Sequence, residues 1–172
     1  MALVLISFFA PDRTGLIAAV AGRLFELGAN LGDASFAVLG SGAEMSAVSE
    51  IPDALSAEEL RSHLLQLPEL AGAKLDVTPF ALDPAHGPAA RVTHRITVTG
   101  GDRPGLIARL SEVFGNFDAN IVTMNAEHVP GLQGGRRYII RFAVAIPEGR
   151  ANSCLATVAN TAEELSQTVS FE

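Results

Sequence analysis

The stretch Asp102-Arg103-Pro104-Gly105-Leu106-Ile107-Ala108, continued by Ala119-Asn120, decides the fold, because the chain carries it twice. The earlier copy is Asp12-Arg13-Thr14-Gly15-Leu16-Ile17-Ala18, continued by Ala29-Asn30, and every shared position is offset by 90 residues without a gap. Self-similarity at that spacing means two copies of one unit, not a solenoid. Inside each copy the apolar residues fall at helical spacing: Leu16, Ile17, Val20, Leu24 and Leu27 in the first, and Leu106, Ile107, Leu110, Val113, Phe114 and Phe117 in the second. Both segments are therefore expected to be amphipathic helices. Asp12 and Asp102 stand where a carboxylate can accept from orphan N–H groups and meet the positive helix end. Pro104 suits a first turn, and Gly15 and Gly105 allow close approach of another backbone or a small ligand.

Working outward from each repeat gives one pattern of elements. Leu3 to Phe9 reads as a strand apolar on both faces, expected to be central and covered on both sides. A helix from about Thr14 to Leu27 stops at Gly28, a left-handed cap, and Asn30 opens a strand to Leu39. After the turn Gly40-Ser41-Gly42, Ala43 to Ile51 returns as a hairpin partner. Ser56-Ala57-Glu58-Glu59 has capping-box spacing and starts a helix ended by Pro68 and Gly72, and Leu75 to Leu82 supplies the last strand. In the second copy, Val92 to Thr99 is a strand, a helix runs to Phe117, and Asp118 takes the left-handed place of Gly28. Strands follow over Asn120 to Val129 and Arg136 to Ile146, joined by the glycine-rich loop Pro130 to Gly135; a helix from Asn152 to Leu165 and a strand from Gln167 to Phe171 close the chain. Each unit is thus an α+β, ferredoxin-like βαββαβ domain, a four-stranded antiparallel sheet with two helices on one face. The domains are expected over residues 1–82 and 92–172, joined by a linker at 83–91 that contains Pro84 and Pro88.

Composition bounds the function. At 172 residues each unit has about 80, enough for a modest core. The chain is 48% hydrophobic with mean hydropathy +0.30, yet its longest apolar run, Ala2 to Ala10 broken by Ser7, falls far short of the ~20 residues of a membrane span. That run lacks a basic leader, so it reads as a strand and not as a secretion signal, and a cytoplasmic location is expected. Cys154, the single cysteine, lies in an apolar helical pattern and reads as a small buried hydrophobe. The net charge of -7 disfavours direct binding to nucleic acid, which depends on concentrated Lys and Arg. His63, His86, His94 and His128 are too scattered for a metal cluster, and Asp12 and Asp102 have no base or second carboxylate at readable spacing, so neither a metal site nor catalysis is expected. Neither Gly40-Ser41-Gly42 nor the stretch Gly131 to Gly135 precedes a Gly-Lys-Ser or a helix start, so neither is a phosphate cradle.

The strand, the Asp-Arg-Pro-Gly-Leu-Ile loop, the amphipathic helix and the Ala-Asn-Ile that opens the next strand together resemble the ACT domain, a regulatory module that often binds amino acids. Two such units, with Asn30-Leu31-Gly32-Asp33-Ala34-Ser35 and Val38-Leu39-Gly40 in the first, are similar to the glycine cleavage system transcriptional repressor family. The resemblance implies a non-enzymatic, homodimeric regulator that senses an amino acid such as glycine and acts on transcription through a protein partner, without a cofactor. It further implies that ligand sits where the first loop of one domain meets the second-strand start of a neighbouring domain. The matching residues are Asp12, Arg13, Gly15, Leu16 and Asn30, and Asp102, Arg103, Gly105, Leu106 and Asn120. Helix N-terminal N–H groups attract a carboxylate, and an Asn side chain can donate and accept towards a zwitterion. Taken on the residues alone, Arg13 and Arg103 are expected to point to solvent. Asp118 would place a negative charge near the second site and leave the first the tighter. Two other readings stand beside the sensor: a ligand-free interaction module, and an enzyme without a recognisable catalytic constellation.

Overall fold

The computed structural model describes residues 1–131 and 135–172, and the chain divides into two compact units, Met1–Pro84 and Ala85–Glu172. The first unit contains β1 (Ala2–Pro11), α1 (Leu16–Glu26), β2 (Asn30–Leu39), β3 (Gly42–Ile51), α2 (Ala57–Leu65) and β4 (Lys74–Pro79), with a 3-10 turn at Pro68–Leu70. The second contains β5 (His94–Gly100), α3 (Leu106–Asn116), β6 (Asn120–Pro130), β7 (Arg136–Ala145), α4 (Ala151–Glu164) and β8 (Thr168–Phe171), with 3-10 turns at Pro88–Ala90 and Glu148–Arg150. Both sheets are antiparallel, in the orders β2-β3-β1-β4 and β6-β7-β5-β8, so each unit is a βαββαβ sandwich of the ferredoxin-like class. Residues 132–134 of the loop expected between β6 and β7 lie outside the described residues.

Alternation fixes which sheet face meets the helices. Val4, Ile6, Phe8 and Ala10 of β1 are buried against Leu16, Val20 and Leu24 of α1 and Leu60 and Leu64 of α2. Ile96 and Val98 of β5, Ile140, Phe142 and Val144 of β7, and Leu110, Phe114, Cys154 and Val158 of the helices make the second core. The rings of Phe114 and Phe142 meet edge to face, with centroids 5.3 Å apart. Burial raises the pKa of the Cys154 thiol, which suits an inert core residue better than a nucleophile.

Three local expectations meet correction. The second face of β1 is not sealed as the first is: Leu3, Leu5 and Ser7 are only partly buried and Phe9 is 48% exposed, its ring lying over Gly42, where a Cβ would come within 2.3 Å of Cζ. The helices start at Leu16 and Leu106, two residues later than the repeat suggested for the first. Neither Asp12 nor Asp102 caps them: the N-cap residues are Gly15 and Gly105, and no side chain bonds the helix start. The caps read from composition elsewhere are present. Gly28 has φ 71° and Asp118 φ 53°, and Ser56 and Glu59 form the reciprocal capping box.

Candidate functional site

The repeated loops are built as turns. Leu16 N–H donates to Arg13 O at 3.3 Å, and Leu106 N–H to Arg103 O at 3.2 Å. Gly15 (φ 88°, ψ -2°) and Gly105 (φ 82°, ψ -1°) hold the third position with the dihedrals of a type II turn. That turn favours proline second and requires positive φ third, which is the Pro104-Gly105 of the second copy. Nothing lies within 4 Å of a Cβ built on either glycine, so the backbone conformation demands glycine there, not close packing.

Around these turns the two units diverge. Arg13 does not extend into solvent: Nη1 donates to Pro68 O at 2.6 Å and Nη2 to Ala71 O at 3.2 Å, tying the loop to the 3-10 turn before β4. Arg103 makes no side-chain hydrogen bond or ion pair among the described residues. The Asp12 backbone N–H donates to Ser41 O at 3.0 Å, at the tip of the β2–β3 hairpin. Leu16 and Leu106 are each only 2% exposed, so their side chains belong to the cores and face away from any ligand at the loops.

In the second unit the Asp102 carboxylate accepts from His128 Nε2, 3.2 Å away, and the imidazole leans on the Tyr138 ring with centroids 4.7 Å apart. Facing a carboxylate, Nε2 must carry the proton. Beside this pair the loop encloses a depression of about 350 Å³ lined by Asp102 to Ala108 and Tyr138. Sheet register explains the meeting: His128 pairs with Tyr138, Tyr138 pairs with Gly100, and Gly100 immediately precedes the loop. On the far side of Gly100, Gln167 is 8% exposed; its Nε2 donates to Gly101 O at 3.0 Å and Leu165 O at 3.1 Å, while its buried Oε1 has no partner. A Cβ at Gly100 would fall 2.1 Å from that oxygen, so glycine here makes room for Gln167. The row under the loop is therefore His128, Tyr138, Gly100, Gln167. In the first unit the matching register positions are Val38, Ala43, Ala10 and, two residues before Leu75, Ala73.

The asparagines stand elsewhere. Asn30 and Asn120 open the strands whose other ends, at Leu39 and Pro130, reach the loops; each is removed from its own unit's loop by nearly the length of a strand, about 30 Å over nine residues. Asp12 with Asn30, or Asp102 with Asn120, cannot line one site within one unit. Asn120 is also engaged: Nδ2 donates to Ala89 O at 2.7 Å, holding the Pro88–Ala90 turn. The Asn30 side chain makes no hydrogen bond among the described residues. The Asp118 carboxylate pairs with Arg150, so its charge is offset at the β6 end of the sheet.

What sequence reasoning missed are His128, Tyr138 and Gln167. The signal was present for the first, since the 90-residue offset places His128 against Val38. Tyr138 lies past the longer β6–β7 loop, where the offset no longer holds. Among the described residues, no three His, Cys, Asp or Glu side chains are grouped so as to hold a metal ion, and no helix is long and apolar enough to cross a membrane.

Residues 95–172 match the model of the ACT domain family. Over both units the fold is similar to an unknown protein from Galdieria sulphuraria, at 20% identity, covering 99% of this chain and 97% of that one with a TM-score of 0.77. It is also similar to a protein assigned as a glycine cleavage system transcriptional repressor, at 14% identity, covering 99% and 96% with a TM-score of 0.63. No curated protein matches the sequence.

Proposed function

With residues 95–172 an ACT domain and the first unit of the same βαββαβ fold, we propose that this chain is a non-catalytic regulator that senses a small amino acid, glycine being the first candidate. In this reading it acts in the cytoplasm as a homodimer and governs transcription through a protein partner, itself a transcriptional regulator. The observation that carries the reading is the second loop. An exposed carboxylate, Asp102, lines a depression of small-molecule size and faces an exposed imidazole, His128, that packs on Tyr138 of the same lining. An aspartate suits an ammonium, and an N–H donor suits a carboxylate, so the pair suits both halves of a zwitterion. The similarity to a protein assigned as a glycine cleavage system transcriptional repressor supports the regulatory part. An indirect route agrees with the net charge of -7, since an acidic chain gains nothing from counterion release on DNA.

Thermal melting against each of the twenty amino acids tests the sensor. A ligand at 100 times its dissociation constant adds about 2.7 kcal/mol to stability, so a true ligand moves the melting point by several degrees. The absence of a shift with all twenty would defeat it.

A second reading, a ligand-free docking module, draws on the first unit, where Arg13 is bound to Pro68 and Ala71 and the row beneath the loop is apolar. In that reading the chain mediates protein–protein association without ligand, and no amino acid shifts its melting temperature. Tight, sequence-selective binding of duplex DNA by the isolated chain at physiological salt would overturn both readings.

A further inference from the structure

We propose that ligand is read at the second loop by His128, a specificity-determining residue, and that the equivalent loop of the first unit does not take the same ligand. The proposal rests on the amino-acid-sensing reading and goes beyond it by naming the contact that selects and the unit that holds it. Three observations carry it. The first is geometric. Asp102 Oδ2 and His128 Nε2 are 3.2 Å apart and both side chains remain about half exposed, so an acceptor that lines the depression stands side by side with a donor, which in turn packs on Tyr138 of the same lining. An α-amino acid carries an ammonium and a carboxylate on one carbon, at a similar separation. It can displace the Asp102–His128 contact and make two, ammonium on Asp102 and carboxylate on the His128 N–H, with no net loss of hydrogen bonds.

The second observation is preorganisation. His128 lies against Tyr138, with ring centroids 4.7 Å apart at 36°, so the imidazole is already oriented before ligand arrives. Holding a group in its bound orientation lowers the entropic cost of binding.

The third is the contrast between the copies. The chain repeats Asp12 as Asp102 and Gly15 as Gly105, and it repeats the fold around them, yet the hairpin position facing the loop is Val38 in one unit and His128 in the other. Its cross-strand neighbour is Ala43 in one and Tyr138 in the other. A valine and an alanine offer nothing to a carboxylate, Arg13 is spent on Pro68 O and Ala71 O, and the other nearby cation, Lys74, pairs in register with Phe9 and so lies on the opposite sheet face, where it lines a separate depression with Phe9 and Gly42. The repeated aspartates therefore have unequal partners.

The test uses the full chain, with glycine as the first probe and the other nineteen amino acids after it, by titration calorimetry on the wild type and on His128→Val, His128→Gln and Asp12→Asn. His128 is 43% exposed at its side chain on an edge strand, and valine is a strong strand former, so the first variant keeps its melting temperature without ligand. Losing a charge-assisted bond should weaken binding about ten- to a hundredfold in His128→Val. His128→Gln, which restores an N–H donor, should recover part of that loss. If the wild type binds and His128→Val binds equally well, the assignment of His128 fails while the sensing reading stands. If Asp12→Asn abolishes binding and His128→Val does not, the ligand belongs to the first loop and the proposal is overturned. Should the wild type bind none of the twenty, the sensing reading falls and the proposal with it.

Discussion

Asn120 holds the segment that opens its own unit: its Nδ2 donates to Ala89 O at 2.7 Å, bracing the Pro88–Ala90 turn against the start of β6. The bond gives this asparagine a role that Asn30 does not share. Asn120→Ala should cost about 0.5–1.5 kcal/mol, as for a typical hydrogen bond, and expose the 83–91 segment to limited proteolysis. Asn30→Ala should leave stability within about 0.5 kcal/mol, as for an exposed site. Melting curves and a trypsin time course on both variants check this, and calorimetry with amino acids on Asn30→Ala tests whether that side chain serves a ligand.

Gly15 and Gly105 should resist substitution in a way that Gly22 does not. A left-handed residue with a Cβ costs about 1–2 kcal/mol, so Gly15→Ala and Gly105→Ala should each lower stability by that order although nothing crowds the site. Gly22 lies within α1 without positive φ and with open space around it, so Gly22→Ala should stabilise the chain by about 0.5–1 kcal/mol. Urea melts of the three variants decide the matter, and equal effects at Gly15 and Gly22 would contradict the turn assignment.

Arg13 and Arg103 occupy matching places in the repeat but do different work. Arg13→Ala removes two bonds to carbonyl oxygens and should destabilise the first unit by about 1 kcal/mol, the exposed setting holding the loss near the low end for a charged donor. Arg103→Ala should change stability by less than about 0.5 kcal/mol. Denaturation of the two variants side by side is the check.

The capping box at α2 gives a pH signature. Glu59 accepts from Ser56 N–H at 2.8 Å and from its hydroxyl at 2.7 Å, and these bonds, the backbone one foremost, hold its pKa below the ordinary 4.5. A carboxyl depressed in the folded state stabilises above its unfolded pKa and loses that contribution as pH falls through the folded value. The advantage of the wild type over Glu59→Gln should therefore be full at neutral pH and shrink below about pH 4.5, in urea melts run from pH 7 to pH 3. Ser56→Ala should cost about 1 kcal/mol at pH 7.

By itself the sequence determined what is periodic or adjacent. The short apolar run Leu3 to Phe9, alternation in β5, helical spacing after Gly15 and Gly105, the capping box at Ser56 and the left-handed stops at Gly28 and Asp118 are dictated by interactions within a few residues, so they could be read along the chain. The internal repeat then made two such patterns into two sandwiches. Tertiary structure alone decided what each loop side chain touches. Arg13 reaches carbonyls 55 and 58 residues away, Asp102 meets a histidine 26 residues on, and Asn120 bonds a carbonyl 31 residues back. None of these partners is marked by spacing. They meet because strand register and the length of the hairpin loops bring the end of one strand beside the loop that leaves another, and each meeting depends on which side chain the register delivers there. Loop sequences that differ only at Thr14 and Pro104 were accordingly given unlike surroundings: Val38 and Ala43 beside one, His128 and Tyr138 beside the other.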